Sequence, residues 1–223
     1  MTAPCALQTV NLTKAWGGFV ANSQISLSLP VGARHALIGP NGAGKTTFIN
    51  LLTGIHKPSA GEVLIGGERV THLAPHQRVR RGMSRTFQIN TLFPGLSVLE
   101  SVVLAICERK GVVRSWHRTV AACADEIAEA WELLASLGLD DLAGAETRHL
   151  PYGKQRLIEI ALALAARPRI LLLDEPAAGI PAGESTEVFN VIARLPEDVT
   201  ILFILHFLDL LLLFERCIMV FFG

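Results

Sequence analysis

The chain has 223 residues, half of them hydrophobic and 18% charged, which is enough to bury a sizeable core as one large domain or as a core with an inserted subdomain. Lys+Arg and Asp+Glu both number 20, so the overall charge offers nothing to a polyanion, and nucleic-acid binding would need a local basic patch. The only candidate is "RVRR", Arg78 to Arg81, which reads as a solvated basic face. Cys5, Cys107, Cys123 and Cys217 show no metal-ligand spacing and fit reduced thiols, and the amino terminus lacks the basic and apolar regions of a secretory signal.

In chain order, "ISLSL" (25–29) alternates with period two, and "HALI" (35–38) is a short continuous apolar run ending at a glycine-rich loop. A helical stretch, "TTFINLLTG", follows the loop. "EVLIGGERV" (62–70) places two short runs around Gly66-Gly67, a hairpin pattern. From 96 to 138 the pattern is helical, with "DEIAEAWELLASLGL" spacing its apolar residues at helical intervals. "LPYGKQR" (150–156) then opens a long apolar helix. "RILLLD" (169–174), "TILFIL" (200–205) and "CIMVFF" (217–222) have the continuous apolar character of parallel strands covered on both faces. The whole run 199–222 is apolar enough to suggest a membrane span, but His206, Asp209, Glu215 and Arg216 interrupt it, and a strand, short helix and strand fit better. The expected layout is an α/β core with an antiparallel β portion near the amino end and a helical insertion.

The strongest chemical signal is "GPNGAGKTT": Gly39, Pro40, Asn41, Gly42, Ala43, Gly44, Lys45, Thr46 and Thr47 satisfy G-x-x-x-x-G-K-[ST] between a strand and a helix. The glycines let successive backbone N–H groups face phosphate oxygens at a helix N-terminus. Lys45 supplies a point charge for the β- and γ-phosphates, the Thr46 hydroxyl is placed for Mg²⁺, and Thr47 for an α-phosphate oxygen. Asp174, at the end of a buried strand, suits a carboxylate that holds Mg²⁺ through water. Its neighbour Glu175 can polarise an attacking water. No Asn-Lys-x-Asp base-recognition pattern is present, which weighs against a GTPase.

The order "GPNGAGKTT", "SRTFQ", "LPYGKQR", "ILLLDEP" and a His206 closing an apolar strand resembles the ATP-binding subunits of ABC transporters. Within that family, "RTFQINTLFPGLSVLESV" and "DEPAAG" look like the ATPase subunits of branched-chain amino acid importers; urea and other amide importers are similar. The resemblance implies a P-loop NTPase of ABC type: a mostly parallel RecA-like core with an N-terminal antiparallel β portion and an inserted helical subdomain. It implies one ATP-binding domain over 1–223, with 1–85 and 166–223 as the core and about 86–165 as the helical subdomain. Gln88 corresponds to the residue that reaches Mg²⁺ and the water, His206 to the switch histidine at the γ-phosphate, and Trp16 to the aromatic that stacks on adenine. By the same resemblance Gly153 corresponds to a glycine of the loop that completes another subunit's ATP site. The implied partners are a second copy or a paralogous ATPase subunit, integral membrane permease subunits and, indirectly, a solute-binding protein, with no nucleic acid. The implied location is peripheral, on the cytoplasmic side of the inner membrane.

Departures from the family pattern concentrate around these motifs. Pro151 stands where Ser is usual and offers neither hydroxyl nor N–H, leaving phosphate contact to backbone N–H groups from Gly153 onward and to Lys154. Leu205 and Phe207, not acids, flank His206, and Pro181 replaces the usual Asn or Asp. The chain ends at Gly223, just after a strand, where relatives usually continue. Two alternatives stay open: an ABC-type ATPase outside transport, and a degenerate module that holds ATP with weak hydrolysis.

Overall fold

The computed structural model describes residues 4–86, 92–112, 123–205 and 218–221. The described chain divides into two compact units, one formed by 1–85, 168–176 and 195–223, the other by 86–167 and 177–194.

The first unit holds two sheets. One is antiparallel, in the order β2-β1-β4-β5, from β1 (Cys5–Trp16), β2 (Phe19–Pro30), β4 (Ala60–Ile65) and β5 (Glu68–Arg69). The β4–β5 hairpin turns at Gly66-Gly67, pairing Ile65 with Glu68. The other sheet is parallel, in the order β6-β7-β8-β3-β9, from β3 (Arg34–Ile38), β6 (Met83–Arg85), β7 (Ile170–Asp174), β8 (Thr200–Leu205) and β9 (Ile218–Phe221). Every residue of β7 and β8 is buried, which is why these strands read as unbroken apolar runs.

Helix α1 (Lys45–Thr53) follows β3 directly and is the keystone of the core. Its Phe48, Ile49, Leu51 and Leu52 join one buried cluster with Leu7, Leu12, Leu29 and Val63 of the antiparallel sheet and Leu37, Ile170, Leu172, Leu202 and Ile204 of the parallel sheet. Burying such side chains contributes roughly 1.5–3 kcal/mol each, so the position of α1, and of the loop at its start, is set by both sheets.

The C-terminal end of α1 corrects the expected solvated basic face at 78–81. Arg78, in the short helix α2 (Pro75–Val79), is 1% exposed. Its Nη1 donates to the carbonyls of Leu51 (2.7 Å) and Leu52 (2.6 Å), its Nη2 to Thr71 (2.9 Å) and its Nε to Leu73 (3.2 Å). A cation at the negative end of a helix satisfies carbonyls that have no intrahelical partner. Burial lowers the Arg78 pKa to about 10. Arg80 and Arg81 are exposed, and Arg81 pairs with Glu68 at 3.2 Å.

The second unit is helical. Helix α3 (Val98–Arg109) starts at Ser97, whose hydroxyl accepts from Glu100 N while the Glu100 carboxylate accepts from Ser97 N, a reciprocal cap. It packs on α4 (Ala124–Ser136) and α5 (Tyr152–Ala165), and α5 packs on α6 (Ala182–Ala193). Glu129 of α4 ties α3 down through Arg109 (2.6 Å) and Lys110 (3.2 Å). Among the described residues, no helix is long and apolar enough to cross a membrane; residues 206–217, inside the run that suggested a span, lie outside them.

Candidate functional site

The loop from Gly39 to Gly44 joins the end of β3 to the start of α1. Gly44 is the helix N-cap at φ +88°, and Gly42 lies at φ +83°. A Cβ on Gly44 would stand 2.5 Å from the Ala21 carbonyl oxygen and 2.7 Å from Asn22 Nδ2, so β2 closes on the loop from behind. Asn22 Nδ2 also donates to the Gly44 carbonyl at 3.2 Å. Only glycine meets both the left-handed backbone and the close approach at position 44.

The front of the loop is built for an anion. The first turn of α1 has no acidic residue and no side-chain cap, so its orphan N–H groups and positive dipole end lack a resident carboxylate. Lys45 is 7% exposed, and its Nζ donates to the carbonyls of Gly39 (2.5 Å) and Pro40 (2.9 Å). These carbonyl partners are neutral acceptors, so they position the Lys45 side chain without putting a carboxylate between it and a phosphate. Thr46 is exposed and Thr47 half-buried.

Asp174 ends β7 at 4% exposure. Arg85, the last residue of β6, reaches Asp174 Oδ2 with Nη2 at 2.5 Å and Asn50 Oδ1 of α1 with Nη1 at 2.8 Å. One guanidinium thus connects the carboxylate to the helix that carries Lys45. Arg85 escaped the sequence reading, although it belongs to "SRTFQ", the stretch noted there for Gln88. Next along the chain, Glu175 takes φ +45°, unusual for a residue with a Cβ, while its N–H donates to the Ile204 carbonyl at 3.0 Å. Left-handed backbone at a residue with a Cβ costs about 1–2 kcal/mol, and such strain clusters at functional sites, which makes Glu175 a candidate beside Asp174.

These groups fit a magnesium nucleotide: an open helix end, a buried lysine, an exposed hydroxyl at Thr46 and a buried carboxylate. Among the described residues no three His, Cys, Asp or Glu side chains gather as a metal cage. Mg²⁺ needs none, since it keeps water and substrate phosphates as ligands.

Trp16 ends β1, beside the Gly17-Gly18 turn, and is 49% exposed, so it is no core residue. The His56 ring meets it edge to face at 5.1 Å between centroids. Lys14 Nζ lies 4.2 Å from the indole centroid and donates to the Lys57 carbonyl at 2.8 Å. The indole is held in place by a cation and a ring while half of the residue stays open, an arrangement suited to stacking.

In the helical unit, Pro151 is the N-cap of α5 and provides no side-chain cap. Gly153 is buried, and its N–H donates to Glu184 Oε2 of α6 at 3.2 Å; Lys154 Nζ pairs with Glu187 Oε1 at 2.7 Å. Both α5 groups expected to meet phosphate therefore carry carboxylate partners within the same chain. Pro181 is the N-cap of α6. Gln88 and His206 lie outside the described residues.

Residues 22–178 match the family model described as ABC transporter. The chain is 35% identical over 215 residues to the high-affinity branched-chain amino acid transport ATP-binding protein BraF of Pseudomonas aeruginosa, covering 92% of this chain and 84% of the relative. It is 37% identical over 217 residues to LivG of Escherichia coli K12, a protein of the same description, with the same coverage of both. Among solved structures, the ADP conformation of MJ1267, an ATP-binding cassette of an ABC transporter, superposes with a TM-score of 0.84 at 30% identity, covering 100% of this chain and 89% of that one.

Proposed function

Because the chain belongs to the ABC transporter family of ATP-binding proteins, we propose that it is the ATP-hydrolysing subunit that powers a transporter, importing branched-chain amino acids or related small solutes. The observation that carries the nucleotide site is the buried Lys45 at an acid-free helix end, backed by Asp174 at the end of β7, which Arg85 ties to the same helix. The substrate class follows from the relatives, which are described as branched-chain amino acid transport proteins.

In this proposal, residues 1–223 form one ATP-binding domain with an α/β core and a helical subdomain. The loop 39–47 wraps the phosphates, and Trp16 stacks on adenine. Lys45 stays against the β- and γ-phosphates and offsets the charge on the transferred phosphoryl group. Mg²⁺, when bound, neutralises phosphate charge, with Thr46, Gln88 and Asp174 as the residues that hold it. Glu175 orients the attacking water, and His206 senses the γ-phosphate.

Two such subunits, identical or paralogous, pair head to tail, so that the α5 start of one, around Gly153, completes the nucleotide site of the other. Loss of the γ-phosphate on hydrolysis releases the pair. The segment around Gln88 to Pro94 passes that motion to membrane permease subunits, which receive solute from a solute-binding protein. The subunit works peripherally at the cytoplasmic face of the inner membrane.

Glu175→Gln tests the proposal. Hydrolysis should fall by about 10²–10⁴-fold, the range for losing a general base, while ATP binding survives and ATP drives stable pairing. An unchanged hydrolysis rate, or a variant that ATP never pairs, would refute it.

A further inference from the structure

The start of α5 already carries an anion. Pro151 gives the helix no side-chain cap, and its first turn contains no acidic residue, so the N–H groups there must find acceptors elsewhere. Glu184 supplies one: its Oε2 accepts the Gly153 N–H at 3.2 Å. The same side chain is the acidic residue in the first turn of α6, so one carboxylate serves the positive ends of two helices. The fit is close, since a Cβ on Gly153 would collide with the Glu184 side chain. One turn further along α6, Glu187 engages Lys154, the adjacent α5 group with phosphate-binding chemistry.

We propose that Glu184 is a further component of the phosphate site that one subunit presents to the other: it caps α5 in the separated chain and yields the Gly153 N–H to the γ-phosphate on pairing. The inference rests on the head-to-tail pairing proposed above and adds its control. A carboxylate and a phosphate compete for one N–H at a helix end, because like charges repel and a shared proton bonds each acceptor more weakly. Each pairing event therefore displaces a bonded carboxylate, and Glu184 sets the ATP concentration at which subunits associate. Pro151 removes the usual hydroxyl, and Glu184 is the compensation visible in the fold.

A cap with no further role and a resident competitor predict opposite signs. The test uses the full chain in the Glu175→Gln background, with the partner ATPase subunit where one co-purifies, and follows pairing against ATP concentration by light scattering. Glu184→Gln keeps an acceptor for Gly153 but removes the charge, and Glu184→Ala removes both. With the competitor gone, half-maximal pairing should need roughly two- to fivefold less ATP, the scale of a charge at a helix terminus. Thermal unfolding identifies a variant that has lost the cap; if Glu184→Ala unfolds early, Glu184→Gln decides. An unchanged or raised ATP requirement in folded Glu184→Gln overturns the role given to Glu184 and leaves the pairing intact. A Glu175→Gln parent that never pairs with ATP overturns both.

Discussion

Arg85→Met removes the guanidinium that holds Asp174 while keeping an apolar side chain of similar length. The side chains of Arg85 and Asp174 are 10% and 5% exposed, and the pair is 2.5 Å apart, so the change leaves a buried carboxylate without this partner. Breaking a buried pair from one side costs about 3–5 kcal/mol, because the remaining charge has lost both water and its counter-ion. The second arm, to Asn50 at 2.8 Å, is lost as well and loosens the tie between Asp174 and α1. For chains of roughly 150–250 residues each kcal/mol moves the melting temperature by about 2–4 °C. The expected fall is therefore roughly 6–20 °C, read by circular dichroism on the metal-free protein. Asp174→Asn should make the same Arg85 substitution much cheaper, with a coupling in the double-mutant cycle of about 0.5–3 kcal/mol. Adding Mg²⁺ with ATP should recover more stability in Arg85→Met than in the parent, since a second cation then offsets the charge that Arg85 offset in the parent. A loss below about 1 kcal/mol, the scale of an exposed pair, or one equal in both Asp174 backgrounds, would refute the argument.

Three other substitutions probe the loop and the core. Gly44→Ala combines about 1–2 kcal/mol of left-handed backbone strain with a Cβ 2.5 Å from the Ala21 carbonyl, whereas Gly42→Ala carries only the strain, having nothing within 4 Å; fluorescent-nucleotide titration should show the larger loss of ATP affinity for Gly44→Ala, and equal losses would mean that β2 does not hold the loop. His35 of β3 is 8% exposed, and burial lowers its pKa below the usual 6.5. The unfolded chain takes up the proton first, so the stability from the neutral ring is complete above about pH 6.5 and is lost as pH falls through the folded value. Melting temperatures between pH 7.5 and 5.5 should drop less steeply in His35→Leu, and parallel slopes would exclude this histidine as the cause.

The parts of the site that could be read from sequence are those whose chemistry is contiguous. A phosphate loop needs its glycines, lysine and hydroxyl within one turn of chain, so 39–47 is visible as a string, and β7 and β8 are visible because burial on both faces leaves an unbroken apolar run. β1 was missed for the opposite reason: its pairing with β2 slips at several irregularities between Cys5 and Ala15, which blurs the period-two alternation. Three-residue β6 is too short to show any period at all.

What stayed hidden are polar contacts between residues far apart in the chain. Arg78 looked like one charge among four residues of a basic run, and nothing local says that four carbonyls spread over Leu51 to Leu73 converge on it. Arg85 and Asp174 are separated by 89 positions, and Gly153 and Glu184 by 31. Pro151 shows the asymmetry most clearly. A missing hydroxyl can be seen in one letter of the sequence and reads as a defect, but an uncapped helix end inside a folded protein demands an acceptor from somewhere. The fold answers with Glu184, so the departure at position 151 and the acidic residue at 184 act on the same N–H and should be tested as a pair.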